Sequence, residues 1–93
     1  MRLISQDGEI DVPYEHGSLC IGFIKGEEHI INTISYYNYS CQKGTKLAEY
    51  SSKEKALTVM EMIRNLYLET VHYRTRPKVF QFPKDEEVEA NNE

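Results

Sequence analysis

The chain has 93 residues, which is room for one small domain whose stability would gain from association. Hydrophobic residues make up 40% and charged residues 28%, and no apolar run approaches the roughly 20 residues of a membrane-spanning helix, so a globule that folds in water is expected, with no membrane partner. The net charge of −4 is concentrated: residues 1–83 hold ten basic and ten acidic residues, whereas residues 84–93 hold one lysine and five acids, which speaks against an extended DNA or RNA partner.

Residues 2–5 read as a short strand. Asp7 and Gly8 between apolar runs predict a hairpin turn. Ile10, Asp11 and Val12 form the returning strand, which Pro13 limits to an edge or an end. Residues 18–24 make a largely apolar strand, and residues 29–39 are β-branched and aromatic as strands prefer. In the second half of that segment, Ile34, Tyr36 and Asn38 share one face, while Thr33, Ser35, Tyr37 and Tyr39 share the other. Residues 42–45 are a turn, and residues 46–50 are a closing strand. The first fifty residues thus predict an antiparallel β-meander of about five strands.

At Ser51 the period changes. Ser51 followed by Glu54 fits a capping box, with Ser51 as N-cap. Ala56, Val59, Met60, Ile63, Leu66 and Tyr67 then recur at helical spacing and predict one apolar stripe on a helix of roughly 17–20 residues. Residues 79–82 alternate and read as a short C-terminal strand before Pro83. The fold class is α+β: the meander packed by one amphipathic helix, with residues 1–83 as the domain and residues 84–93 as an acidic, disordered tail.

The polar residues close to Met1 do not suit a signal peptide, so a cytoplasmic location is expected and Cys20 and Cys41 are expected as free, buried thiols. His16, His29 and His72 lack the spacing of metal ligands, so no metal is expected, and neither is a cofactor. The five glycines are isolated and make no phosphate-cradling loop, and no nucleophile elbow is present, so catalysis is not expected.

Two features suggest binding. Arg74, Arg76 and Lys78 are interleaved with Tyr73, Phe80 and Phe82, a combination in which cations can hold phosphates and rings can stack on bases. The alternative is a solvated connector whose Phe80 and Phe82 complete the core. A further group of cations, Lys43, Lys46, Lys53 and Lys55, surrounds the last turn and the helix start. Tyr36, Tyr37 and Tyr39 are candidates for a self-association or ligand-stacking surface, the alternative being cross-strand packing.

Three stretches together resemble a family of small phage and prophage proteins of Gram-positive, especially clostridial, bacteria. They are residues 1–8 (MRLISQDG), residues 47–56 (LAEYSSKEKA) and residues 80–88 (FQFPKDEEV). The pattern is also similar to phage anti-defence sponges of the Thoeris anti-defence type. That resemblance implies a cytosolic homo-oligomer that sequesters a cyclic nucleotide or an ADP-ribose-derived immune signal between subunits, without catalysis. The alternatives are an accessory protein that inhibits a host defence enzyme by direct binding, and a structural phage protein.

Overall fold

Pro13 ends the second strand and splits the expected meander in two. The computed structural model, which describes residues 1–40, 42–73 and 78–89, is an α+β fold. Its strands are β1 (Arg2–Ile4), β2 (Asp11–Pro13), β3 (Ser18–Lys25), β4 (Ile30–Tyr37), β5 (Thr45–Tyr50) and β6 (Val79–Gln81). One helix, α1, spans Lys53–His72, and short 3-10 turns occupy Tyr14–His16 and Asp85–Glu87. One sheet has the order β3-β4-β5 and is antiparallel throughout. The other has the order β2-β1-β6, with β1 and β2 antiparallel and β6 parallel to β1. The five expected strands therefore divide into a hairpin of two and a meander of three. Proline has no N–H with which to continue a ladder, and the 3-10 turn after Pro13 carries the chain away to the second sheet.

The predicted hairpin turn is present, with Gly8 at a φ of 78°. Ser5 ties it together. Its hydroxyl donates to Asp7 Oδ1 at 2.5 Å and accepts from the Ile10 N–H at 3.0 Å. The Asp7 carboxylate also accepts from the Glu9 N–H at 3.0 Å, and these bonds, the one from Ser5 foremost, hold its pKa below the ordinary range.

Helix α1 begins one residue later than the capping pattern predicts. Ser52 is the N-cap, its Oγ accepting from the Lys55 N–H at 3.2 Å. Ser51 is drawn elsewhere: its N–H and hydroxyl both donate to Asp85 Oδ1, at 2.8 and 3.0 Å. Of the predicted stripe, Ala56, Val59 and Ile63 are buried, and Met60, Leu66 and Tyr67 pack half-buried against the same core. That core joins Leu3, Phe80 and Phe82 of the first sheet and its continuation to Ile34, Tyr36, Ala48 and Tyr50 of the second. Two buried tyrosines link the layers, Tyr36 donating to the Pro13 carbonyl at 2.7 Å and Tyr50 to the Pro83 carbonyl at 2.8 Å.

The boundary drawn at residue 84 is corrected. Val88 is only 6% exposed and belongs to the core. Asp85 holds Ser51 and accepts, through its carbonyl, from Lys55 Nζ at 2.9 Å. The Lys84 N–H donates to Glu87 Oε1 at 2.9 Å. The segment expected as a disordered tail is thus part of the fold as far as residue 89, and residues 90–93 lie outside the described residues. Among the described residues, no helix is long and apolar enough to cross a membrane.

Candidate ligand cleft

Two glycines set the tyrosines at one end of the β3–β4–β5 meander. Gly44, in the turn before β5, has a φ of 83°, and a Cβ there would come within 2.5 Å of the Tyr37 ring. Gly17 does the same for the neighbouring ring of Tyr36, where a Cβ would collide with the phenol. The alternation of β4 sends these two rings to opposite faces of the sheet. Tyr36 goes into the core, and Tyr37, paired with Ser18 across the ladder, goes to the outer face.

An open cleft of about 470 Å³ lies beside Tyr37. Tyr37 and Tyr39 supply its aromatic walls, and His16, Ser18, Asn38 and Gln42 supply its polar groups. Tyr39 is 97% exposed. The described residues of this lining carry no carboxylate, arginine or lysine. Aromatic faces with amide, hydroxyl and imidazole donors and acceptors suit a flat heterocycle with hydrogen-bonding edges. The volume falls within the range of small-molecule sites.

The predicted binding residues do not come together. Phe80 and Phe82 are 9% and 2% exposed and meet edge-on in the core with centroids 5.5 Å apart, so neither presents a face to a ligand. They take the alternative role, completing the core, because β6 pairs with β1 and turns both rings inward. Tyr73 is exposed at the end of α1 with its ring against His72. Lys78 is half-buried just before β6, with its carbonyl accepting from the Arg2 N–H at 3.0 Å. Arg74 and Arg76 lie outside the described residues. Of the tyrosine trio, Tyr36 is a core residue, and Tyr37 and Tyr39 line the cleft. Cys20 is exposed on β3, because it lies on the outer face with Ser18 and Tyr37, and Cys41 lies outside the described residues.

The sequence places His16 in a loop, Asn38 on the Ile34 and Tyr36 face of its strand and Gln42 in a turn, whereas the structure sets all three around Tyr37 and Tyr39. The signal that points to them is topological. In an antiparallel meander, the approach to β3 and the turn after β4 meet at the same end, where the tyrosines cluster. The displaced pKa values lie elsewhere and are structural. Glu15 is held low chiefly by accepting from the Met1 ammonium group, at 2.6 and 2.9 Å. Asp85 is held low by the Ser51 N–H and hydroxyl and by Lys55, and Tyr50 is pushed above the usual tyrosine range by burial, then by Asp85 and Glu87. Among the described residues no three His, Cys, Asp or Glu side chains gather as a metal ion would require.

No protein-family model, curated protein or solved structure matches this chain.

Proposed function

We propose that the protein is a non-catalytic binding protein for a small nucleotide signal, and that the base of the ligand sits between Tyr37 and Tyr39. The observation that carries this reading is the cleft itself, with two tyrosine rings and amide, hydroxyl and imidazole groups at one strand end. Such a lining recognises a base by stacking and by its polar edge. Lys43, next to Gln42 in the same turn, is the nearest cation in sequence for a phosphate. The ligand class is that of the sponge resemblance: a cyclic nucleotide or an ADP-ribose derivative, sequestered and released unchanged.

The test is a thermal-shift panel of cyclic di- and trinucleotides and ADP-ribose derivatives, each with its linear control. Ligand at 100 times Kd adds about 2.7 kcal/mol, a rise on the order of 10–20 °C for a domain of this size. Tyr39→Ala should abolish the rise and leave the unliganded Tm unchanged, since the ring is almost wholly exposed. Tyr73→Ala should leave the rise intact. A flat panel overturns the nucleotide reading, and a rise that survives Tyr39→Ala and Tyr37→Ala overturns the site.

A further inference from the structure

The β3–β4–β5 sheet treats its two edges differently. Along β5, Gln6 closes the ladder with its backbone N–H on the Leu47 carbonyl and its side chain on Glu49. Along β3, no described residue pairs with the outer edge. This open strand is eight residues long, and from Ser18 to Ile24 it carries no charge. It also holds two exposed large apolar side chains near the hairpin tip, Phe23 at 71% and Ile24 at 46%. Sheet edges that are meant to stay single are short, charged or bulged, and this one is none of these.

We propose that the outer edge of β3 pairs antiparallel with the same edge of a second copy of this chain, making one continuous six-stranded sheet. The occupant is argued from register. An antiparallel pairing centred on Ile21 sets Leu19 opposite the partner's Phe23, Cys20 opposite the partner's Gly22 and Ser18 opposite the partner's Ile24. Directly opposed residues share a face. Phe23 lies on the face that carries Leu19, Ile21, Ile34 and Tyr36, the face covered by α1. Beside Leu19 on that face is a cleft of about 390 Å³, with Tyr14, Met60 and Tyr67 among its walls. The exposed Phe23 ring of each copy therefore comes beside a recess of the other whose walls mix Leu19, Met60 and two tyrosine rings with Glu15 and Arg64. Lys25 falls opposite the partner's Gly17, at the rim of the same cleft. On the other face the partner's Ile24 stands beside Ser18, a wall of the Tyr37–Tyr39 cleft, so the second copy lends that cleft an apolar side. The pairing rests on the edge and its register and does not depend on the ligand reading.

Sedimentation of the full chain over a dilution series, together with amide hydrogen exchange across residues 18–25, tests the pairing. The expected mass is twice the 10.9 kDa of the chain. The outward-facing amides of β3 should be protected in the dimer and exchange faster on dilution. Phe23→Lys with Ile24→Lys changes two exposed side chains, and should weaken self-association about 30-fold or more while keeping the circular dichroism of the fold. A chain that stays monomeric at every concentration overturns the proposal. So does a dimer whose β3 amides exchange freely, a readout on the unaltered chain that holds even if the lysine variant fails to fold. A dimer that survives both lysines places the contact on another surface and overturns it as well.

Discussion

The side-chain amide of Gln6 pairs with the backbone of Glu49 as a neighbouring strand would. Its Oε1 accepts from the Glu49 N–H at 2.9 Å, and its Nε2 donates to the Glu49 carbonyl at 3.0 Å. The same Nε2 donates to the Pro83 carbonyl at 3.0 Å, so one side chain ties the first hairpin, β5 and the segment after β6 together. Gln6→Ala leaves these half-buried backbone groups without that partner and should cost about 1–3 kcal/mol. Gln6→Glu should cost at least as much, since a carboxylate cannot donate to either carbonyl. Urea unfolding, with an unchanged m-value and a lowered midpoint, checks both.

Asp85 and Val88 anchor the acidic segment, one by hydrogen bonds and one by burial. A chain ending at residue 89 keeps both anchors. One ending at residue 84 should lose several kcal/mol, because Val88→Ala alone should cost about 2 kcal/mol. Comparing the Tm values of the two truncations with that of the full chain decides it.

The Asp85 carboxyl has a direction with pH. Its pKa is held below 3.8 in the fold, chiefly by the Ser51 N–H, so the folded state favours the ionised form. The contribution is present above the ordinary carboxylate range and disappears as pH falls through the folded value. The stability gap between the natural chain and Asp85→Ala should therefore be constant near neutrality and shrink below about pH 4. Denaturation midpoints across an acid series give the gap directly.

Tyr50 acts at the other end of the scale. Burial, with Asp85 and Glu87 nearby, raises its pKa, and its hydroxyl donates to the Pro83 carbonyl. A raised value means that the unfolded chain releases this proton first. Stability is then full below about pH 10 and falls as pH rises beyond it. Tyr50→Phe should lose about 1 kcal/mol at neutral pH and show a shallower alkaline decline. The Pro83 carbonyl keeps Gln6 as a donor in that variant, which limits the loss.

Gly44→Ala tests how the cleft is shaped. The alanine is strained at a φ of 83° and also meets the Tyr37 ring. The variant should be about 1–2 kcal/mol less stable and should bind a nucleotide ligand more weakly than its remaining stability accounts for. Calorimetric titration against the compound found in the thermal panel measures the second effect.

What was legible in the sequence was local. The Asp7–Gly8 turn, the α1 stripe and the inward face of Ile34 and Tyr36 all follow from short-range period and turn chemistry. The division into two sheets was not legible, because β1, β2 and β6 have three residues each, too few to carry a pairing preference, and β6 finds β1 across nearly the whole chain. Phe80 and Phe82 show the same gap. Alternation placed them on one face without saying whether that face was wet. The acidic segment misled through its average: its charge suggested disorder, yet one apolar residue, Val88, and a few hydrogen bonds to Asp85 are enough to hold it down. The cleft was half legible. Tyr37 and Tyr39 stood out by composition, whereas His16 and Gln42 reach them only through the topology of the meander.

The parallel pairing of β1 with β6 also governs the order in which the molecule can be made. Synthesis delivers Arg2–Ile4 long before Val79–Gln81. The meander and α1 can form from local contacts as they emerge, but Leu3 has no Phe80 or Phe82 to pack against until the late segment has left the ribosome. The core of this domain therefore stays open until residues 79–82 are available to close it. A pause before residue 79 would prolong that exposure, and a break in the message beyond α1 would release a chain unable to close.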